Sequence, residues 1–186
     1  MSIIVYGEDC ELEVGAHNCN DCGDLENGRV SSVAYISRAY IGTLKADPTN
    51  PAVWAAGILS GAIKVIPRTS GSFTPEPVRV TGYGRVSERL VGYNNTLSYR
   101  DPDYATNWGF YNGLKDSKIY HVAYATETLL HISDEPVSIT PLQPVEDDLN
   151  SEVTWNVEVL WQQGPLLQPV AQPEGIFECF TVAPNP

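Results

Sequence analysis

Positive charge is scarce in this chain. Eleven Lys and Arg stand against 23 Asp and Glu over 186 residues, a net charge of −12. A groove that grips nucleic-acid phosphates needs clustered Lys and Arg, so that class of function is disfavoured. Long apolar runs are also missing. The stretch from Val53 to Ile63 is broken by Gly57, Ser60 and Gly61 and ends at Lys64, far below the ~20 residues that span a bilayer. The opening MSIIVYGEDCE has no positive n-region and only a short apolar run, so no secretory signal is expected. These features predict a soluble protein with no membrane partner, made in a reducing cytoplasm. There, cysteines are thiols or metal ligands more readily than disulfides.

Histidine is rare, with three residues. His121 and His131 fall in strand patterns and read as packed or edge side chains, not general bases. Gly57-Ile-Leu-Ser60-Gly61 looks like a nucleophile elbow, but its spacing is wrong and it ends a helix where an elbow starts one. Gly82-Tyr-Gly84 lacks the third glycine and the strand–helix context of a dinucleotide fingerprint and reads as a turn. No P-loop, calcium loop or HExxH is present. Catalysis is not expected.

What is present suffices for a folded core: 42% apolar residues and only 18% charged. The length suits one domain, or one domain plus an arm. The charge is segregated. Residues 1–28 carry seven acids and no Lys or Arg, or −7. Residues 29–100 carry nine bases and three acids, or +6, and residues 101–186 carry two bases and thirteen acids, or −11. We therefore divide the chain into an acidic Cys-containing N-terminal arm, 1–28, a β-sandwich or barrel domain, 29–180, and a C-terminal tail, 181–186.

Within the domain, Val30–Ile36 reads as the first core strand. Asn50-Pro51 forms an N-cap with Pro at the first helical position, starting a helix over Pro51–Ser60 that Gly61 ends. Ile63–Ile66 returns to strand. Residues 67–95 are punctuated by Pro67, Gly71, Pro75, Pro77, Gly82, Gly84 and Gly92, with Val78–Val80 and Arg89–Val91 as strand fragments. They read as a long basic loop or extended hairpin carrying Arg68, Arg79, Arg85 and Arg89. A loop this long in a compact domain usually has a function or is disordered. Asn94-Asn95-Thr96 reads as a turn and Thr96–Arg100 as a strand. Asp101-Pro102-Asp103 is predicted to start a helix running to Ser117, with Tyr104, Trp108, Tyr111 and Leu114 at helical spacing.

Strands follow at Ile119–Thr126, Leu129–Ser133 and Pro136–Thr140, then a charged turn at Glu146–Asp148. The clearest pattern is Glu152–Trp161. Val153, Trp155, Val157, Val159 and Trp161 share one face, and Glu152, Thr154, Asn156 and Glu158 share the other. That is a half-buried antiparallel strand. The fold expected is a mainly-β sandwich or barrel with one flanking helix and a long basic hairpin loop.

Cys19-Asn-Asp-Cys22 has half of a zinc-knuckle spacing. Cys10 with Cys179, or Cys10 with His17, would complete a tetrahedral zinc site if the ends of the domain met. The alternative is free thiols in the arm and a buried Cys179 acting as a small hydrophobe. No other cofactor is indicated.

A basic projection on an acidic body suits heterologous contact between identical copies, which closes into rings or continues as filaments. Open edge strands offer a further way to join neighbours. The stretch from Tyr93 to Trp161 resembles the tail tube (major tail) proteins of long-tailed bacteriophages. Its parts are the strand Thr96–Arg100, the helix Asp101–Ser117 with Asn107-Trp-Gly-Phe-Tyr111, the strand Lys118–Thr126 and the closing strand Glu152–Trp161. The Arg-rich segment Ile66–Val91 sits where that family carries its ring-to-ring hairpin. The likeness covers roughly 130 of the 186 residues, lies in element order and not in a diagnostic motif, and leaves out the Cys-bearing arm.

The resemblance implies a virion protein made in the host cytoplasm. Six copies would form a ring around a continuous inner β-barrel. Arg68, Arg79, Arg85 and Arg89 would be ring-stacking residues, and DNA a non-specific passenger repelled by an acidic lumen. Partners would be other copies and other virion proteins. The competing readings are a capsid decoration or head–tail connector protein, and a monomeric jelly-roll-like binding module.

Overall fold

The computed structural model of the protein describes residues 28–82, 88–115, 117–145 and 153–177. In chain order these form β1 (Ser32–Ser37), α1 (Ile41–Ala46), α2 (Pro51–Leu59), β2 (Ile63–Ile66), β3 (Ser70–Thr81), β4 (Glu88–Asp101), α3 (Trp108–Leu114), β5 (Tyr120–Ala125), β6 (Leu129–Ile132), β7 (Ser138–Leu142), β8 (Trp155–Gln163) and β9 (Val170–Ala171). They build two antiparallel sheets, ordered β2-β1-β5-β6-β9 and β3-β4-β8-β7. The expected mainly-β sandwich is the observed architecture.

Burial explains why the two sheets have different sequences. The five-stranded sheet is covered on both faces. Val33, Tyr35, Val122 and Tyr124 point into the layer between the sheets. Ala34, Ile36, Ala123 and Ala125 point the other way, onto Leu44 of α1, Trp54 of α2 and Phe177. Strands buried on both sides read as continuous apolar runs, as β1 and β5 do. The four-stranded sheet is covered on one face only. In β8 Trp155, Val157, Val159, Trp161 and Gln163 are buried while Glu158, Leu160 and Gln162 are exposed. The result is three layers, helix–sheet–sheet, with the outer face of the four-stranded sheet bare.

Helix α2 follows its signals. The Asn50 side chain accepts a 3.0 Å bond from the Ala52 amide, Pro51 occupies the first position, and Gly61 takes φ +73°. The helix expected over Asp101–Ser117 shrinks to Trp108–Leu114. Asp101 ends β4 instead, and its carboxylate accepts from the Asp103 amide at 2.9 Å in a turn that precedes α3. Trp108, expected on the core face, is 59% exposed. The six-residue α1 was not anticipated and has no side-chain cap, so three short helices, not one, flank the sheets among the described residues. Asn94-Asn95-Thr96 is not a turn but the middle of β4, with Asn95 opposite Trp161.

The segment read as a loop or extended hairpin is a hairpin, paired from Ser70↔Arg100 to Thr81↔Glu88 with a bulge at Val78/Arg79. Gly71 is required at its base. A Cβ there would collide with the Ser98 carbonyl and the Tyr99 side chain, while Gly71 exchanges both backbone bonds with Val30. This bridge ties the N-terminal entry of the domain to β3.

The alternation is directly testable. Leu97→Ala, at a site with no exposure, is expected to lower stability by about 2–5 kcal/mol. Leu160→Ala, at 41% exposure on the opposite face, should change it by less than about 1 kcal/mol. Urea denaturation of the two variants measures both.

Candidate interaction surface

The hairpin outruns the body. β8 pairs with β4 only from Tyr93↔Gln163 onward, and the end of β8 lies so close that a Cβ on Gly92 would be 2.7 Å from the Gln163 carbonyl. Beyond that point Val78–Thr81 and Glu88–Val91 form a two-stranded ribbon. Val80, Leu90 and Val91 are 46%, 42% and 47% exposed. A two-stranded ribbon with nothing packed on it is marginal in water, and its bulge adds twist.

Register assigns its charges. Arg79 lies opposite Leu90, and Val80 opposite Arg89. Cross-strand partners share a face and successive residues alternate, so each face carries one guanidinium beside one apolar side chain. Among the described residues neither arginine forms an ion pair; the pair found there is Lys45–Asp134 at 2.6 Å. Arg68 does not join them. It lies in the turn before β3, eleven residues from Arg79, or roughly 35 Å along the strand. Arg85 lies outside the described residues, as do Cys10, His17, Cys19, Cys22, Cys179, the turn Glu146–Asp148, residues 1–27 of the N-terminal arm and the tail 181–186.

The bare face of the four-stranded sheet is rich in hydroxyls and amides. Ser72, Thr74, Thr96, Ser98, Asn156 and Gln162 lie on it by register. Its charges are Glu76, Arg100 and Glu158. Of the described acids after residue 100, only Glu158 is on this face. The surface is thus near neutral, mostly polar, with Leu142 and Leu160 exposed on it. A shallow depression of about 450 Å³ is lined by Ser72, Ser98, Arg100, Asn156 and Glu158.

Prolines blunt both edges of this sheet. Gly71 turns its N–H and C=O outward to Val30, so alternation makes Phe73, Pro75 and Pro77 face outward as well. Two of these have no N–H. On β7 the same parity turns Val137, Ile139 and Pro141 outward, and the Val137 amide already bonds the Tyr120 carbonyl at 2.9 Å. Phe73 and Ile139 are the outward donors left free on these stretches.

The interior holds three neighbouring tyrosine hydroxyls. Tyr35 and Tyr99 meet across the sheets, oxygen to oxygen at 2.8 Å. The Tyr111 hydroxyl interacts electrostatically with that of Tyr99. Tyr111 donates to Asp101 Oδ2 at 2.7 Å, where Asn107 Nδ2 also donates at 3.0 Å. Burial pushes the hydroxyls of Tyr35, Tyr99 and Tyr111 above the usual phenol range, and the neighbouring Tyr and Asp groups add to this. They stay protonated, as donors. Sequence reasoning placed Asp101 at a helix cap and missed this role, which no local spacing reveals.

The other catalytic candidates are spoken for. Ser60 Oγ donates to the Gly57 carbonyl at 3.0 Å and closes α2. His131 stacks on Tyr124, centroids 4.8 Å apart. His121 is buried, its Nδ1 3.4 Å from the Ser133 carbonyl. Among the described residues no group of three His, Cys, Asp or Glu is placed to hold a metal, and no helix is long and apolar enough to cross a membrane.

No family model, curated protein or solved structure matches the chain.

Two outcomes follow from these buried groups. Asp101→Ala strands the buried Tyr111 hydroxyl, and a buried unpaired donor costs about 1–3 kcal/mol; the Asp103 amide and Asn107 side chain, exposed and half-buried, turn to water. A loss in that range is expected by urea denaturation, with Asp101→Asn losing less. His121 is held below its ordinary value of 6.5, first by burial and then by the cations Lys45 and Arg38, against the Ser133 carbonyl and Glu135. Its contribution is therefore intact above pH 6.5. It is lost as pH falls, because the unfolded chain takes up the proton first. The stability–pH slope below 6.5 should flatten in His121→Gln relative to the parent.

Proposed function

We propose that the protein is a virion structural protein that assembles with copies of itself into stacked rings, a phage tail tube through which DNA passes without specific contact. The observation that carries this reading is the projecting ribbon. It is exposed on both faces, holds Arg79 and Arg89 without acidic partners among the described residues, and presents Val80, Leu90 and Val91 to solvent. Exposed apolar groups beside unpaired cations suit a protein contact with an acidic, partly apolar surface. The acid surplus of the chain supplies such a surface on the next copy.

The bare four-stranded face fits a conduit wall for a reason other than the one the charge balance suggested. A near-neutral sheet of hydroxyls and amides has few cations with which to hold phosphates. Passage then rests on the lack of attraction more than on repulsion. Arg68 lies roughly 35 Å from the ribbon, so any part it takes in stacking is separate from that of Arg79 and Arg89.

A second reading, a capsid decoration or head–tail connector protein, is favoured by the proline-blunted edges. A continuous inner barrel joins neighbours by backbone ladders, and both edges offer few donors for one. A contact made by the ribbon alone needs no such ladder.

Negative-stain microscopy of the purified protein distinguishes these readings. Rings or tubes are expected, loosened by added salt because the contact is partly ionic. Arg79→Glu with Arg89→Glu is expected to abolish them while the far-ultraviolet circular dichroism is unchanged. A protein that stays monomeric at high concentration, or a double variant that assembles like the parent, overturns the tube reading.

A further inference from the structure

The ribbon leaves one end of the sandwich, and a second group of exposed apolar side chains gathers at the other. β4 spans 14 residues, roughly 45 Å, from Glu88 in the ribbon to Asp101. Asp101 pairs with Trp155 at the start of β8, and Asn156 pairs with Leu142 at the end of β7. Val153 lies two residues before Trp155, and Val145 three beyond Leu142. Trp108 follows Asn107, whose side chain donates to the Asp101 carboxylate at 3.0 Å. Trp108, Leu142, Val145 and Val153 are thus brought to the Asp101 end of β4, and each is exposed.

The chemistry of this end answers that of the ribbon. Each ribbon face carries a guanidinium beside an apolar side chain. An indole is the best aromatic partner for a guanidinium. Of the four tryptophans, Trp54, Trp155 and Trp161 are buried and Trp108 alone is open to solvent. Asp103, in the turn beside it, is also exposed and forms no ion pair among the described residues. Arg100 and, just before β3, Arg68 lie toward the opposite edge of the sheet, away from β7.

We propose that the Asp101 end of the sandwich is the surface that receives the ribbon of the next copy, an inference that rests on the assembly reading above. Trp108 and Asp103 take a guanidinium, and Leu142, Val145 and Val153 take the apolar side chain beside it. The two surfaces differ and sit at opposite ends of one strand. The contact is therefore heterologous and runs from copy to copy along β4.

Tryptophan fluorescence tests this in the unaltered chain. Acrylamide quenching of the dilute, unassembled protein reports on Trp108. On assembly, quenching is expected to fall to that of Trp108→Phe. Assembly with quenching unchanged overturns the proposal and leaves the assembly reading standing. Mixed variants give a second readout. Leu142→Lys with Val145→Lys leaves α3 alone and sets like charge against the arginines. Arg79→Glu with Arg89→Glu spoils the ribbon. Each double variant by itself is expected to stay monomeric in sedimentation velocity. Their equimolar mixture is expected to give a one-to-one dimer and nothing larger, because one intact ribbon meets one intact end. A Leu142/Val145 double variant that assembles like the parent, or a mixture without dimer, overturns the proposal. A parent that never assembles overturns the assembly reading and this inference with it.

Discussion

Two tyrosine hydroxyls touching across the sandwich hold the key polar contact of an otherwise apolar interface. Tyr35 and Tyr99 come from different sheets, and neither has exposure to water. A buried hydroxyl without a partner is costly, so each fixes the position of the other. The sheets must then meet in the register that brings β1 over β4. Beside the tyrosine pair a second buried contact runs from the Tyr111 hydroxyl to the Asp101 carboxylate. Asp101 in turn receives the Asp103 amide and the Asn107 side chain, which shapes the turn ahead of α3. Two neighbouring polar contacts thereby set the spacing of the sheets, the end of β4 and the start of a helix. Aliphatic packing alone, as at Val33, Leu97 and Val159, is less directional and tolerates small slips.

How much of this was legible depended on range. β8 announced itself because one bare face imposes a period of two. β1 and β5 did so through the opposite sign, apolar runs with no wet face. Asn50, Pro51 and Gly61 bounded α2 because capping is local chemistry. The failures were equally physical. Asp101-Pro102-Asp103 has the residues of a helix start, but its carboxylate is taken by the Asp103 amide, Asn107 and Tyr111 in a turn that spacing alone does not reveal, and only Trp108–Leu114 stays helical. α1 has six residues and no capping side chain, so it leaves little trace. The glycines and prolines of residues 67–95 left a loop and an extended hairpin both open, and the structure has the hairpin. An edge strand tolerates proline where its nitrogen faces outward, and glycine fits where another backbone comes close.

The interaction surface was half legible. That Arg79 and Arg89 would be near each other followed from a hairpin. That they point to opposite faces, each beside an apolar residue, needed the register. The charge of the bare face was not legible either, because segment totals do not say which acids share a side. Asp101 is interior, and Asp134 lies at a loop on Lys45. The acidity of the chain after residue 100 is therefore not, for the described residues, the acidity of its flat sheet.

The prolines on both rims have a consequence for how the molecule behaves in a crowded solution. A sheet that lacks donors at its margins resists endless strand addition, the route by which β-rich chains turn into fibrils. A contact made at either of these two rims would rest mainly on side chains, which come together and part without unzipping a backbone ladder.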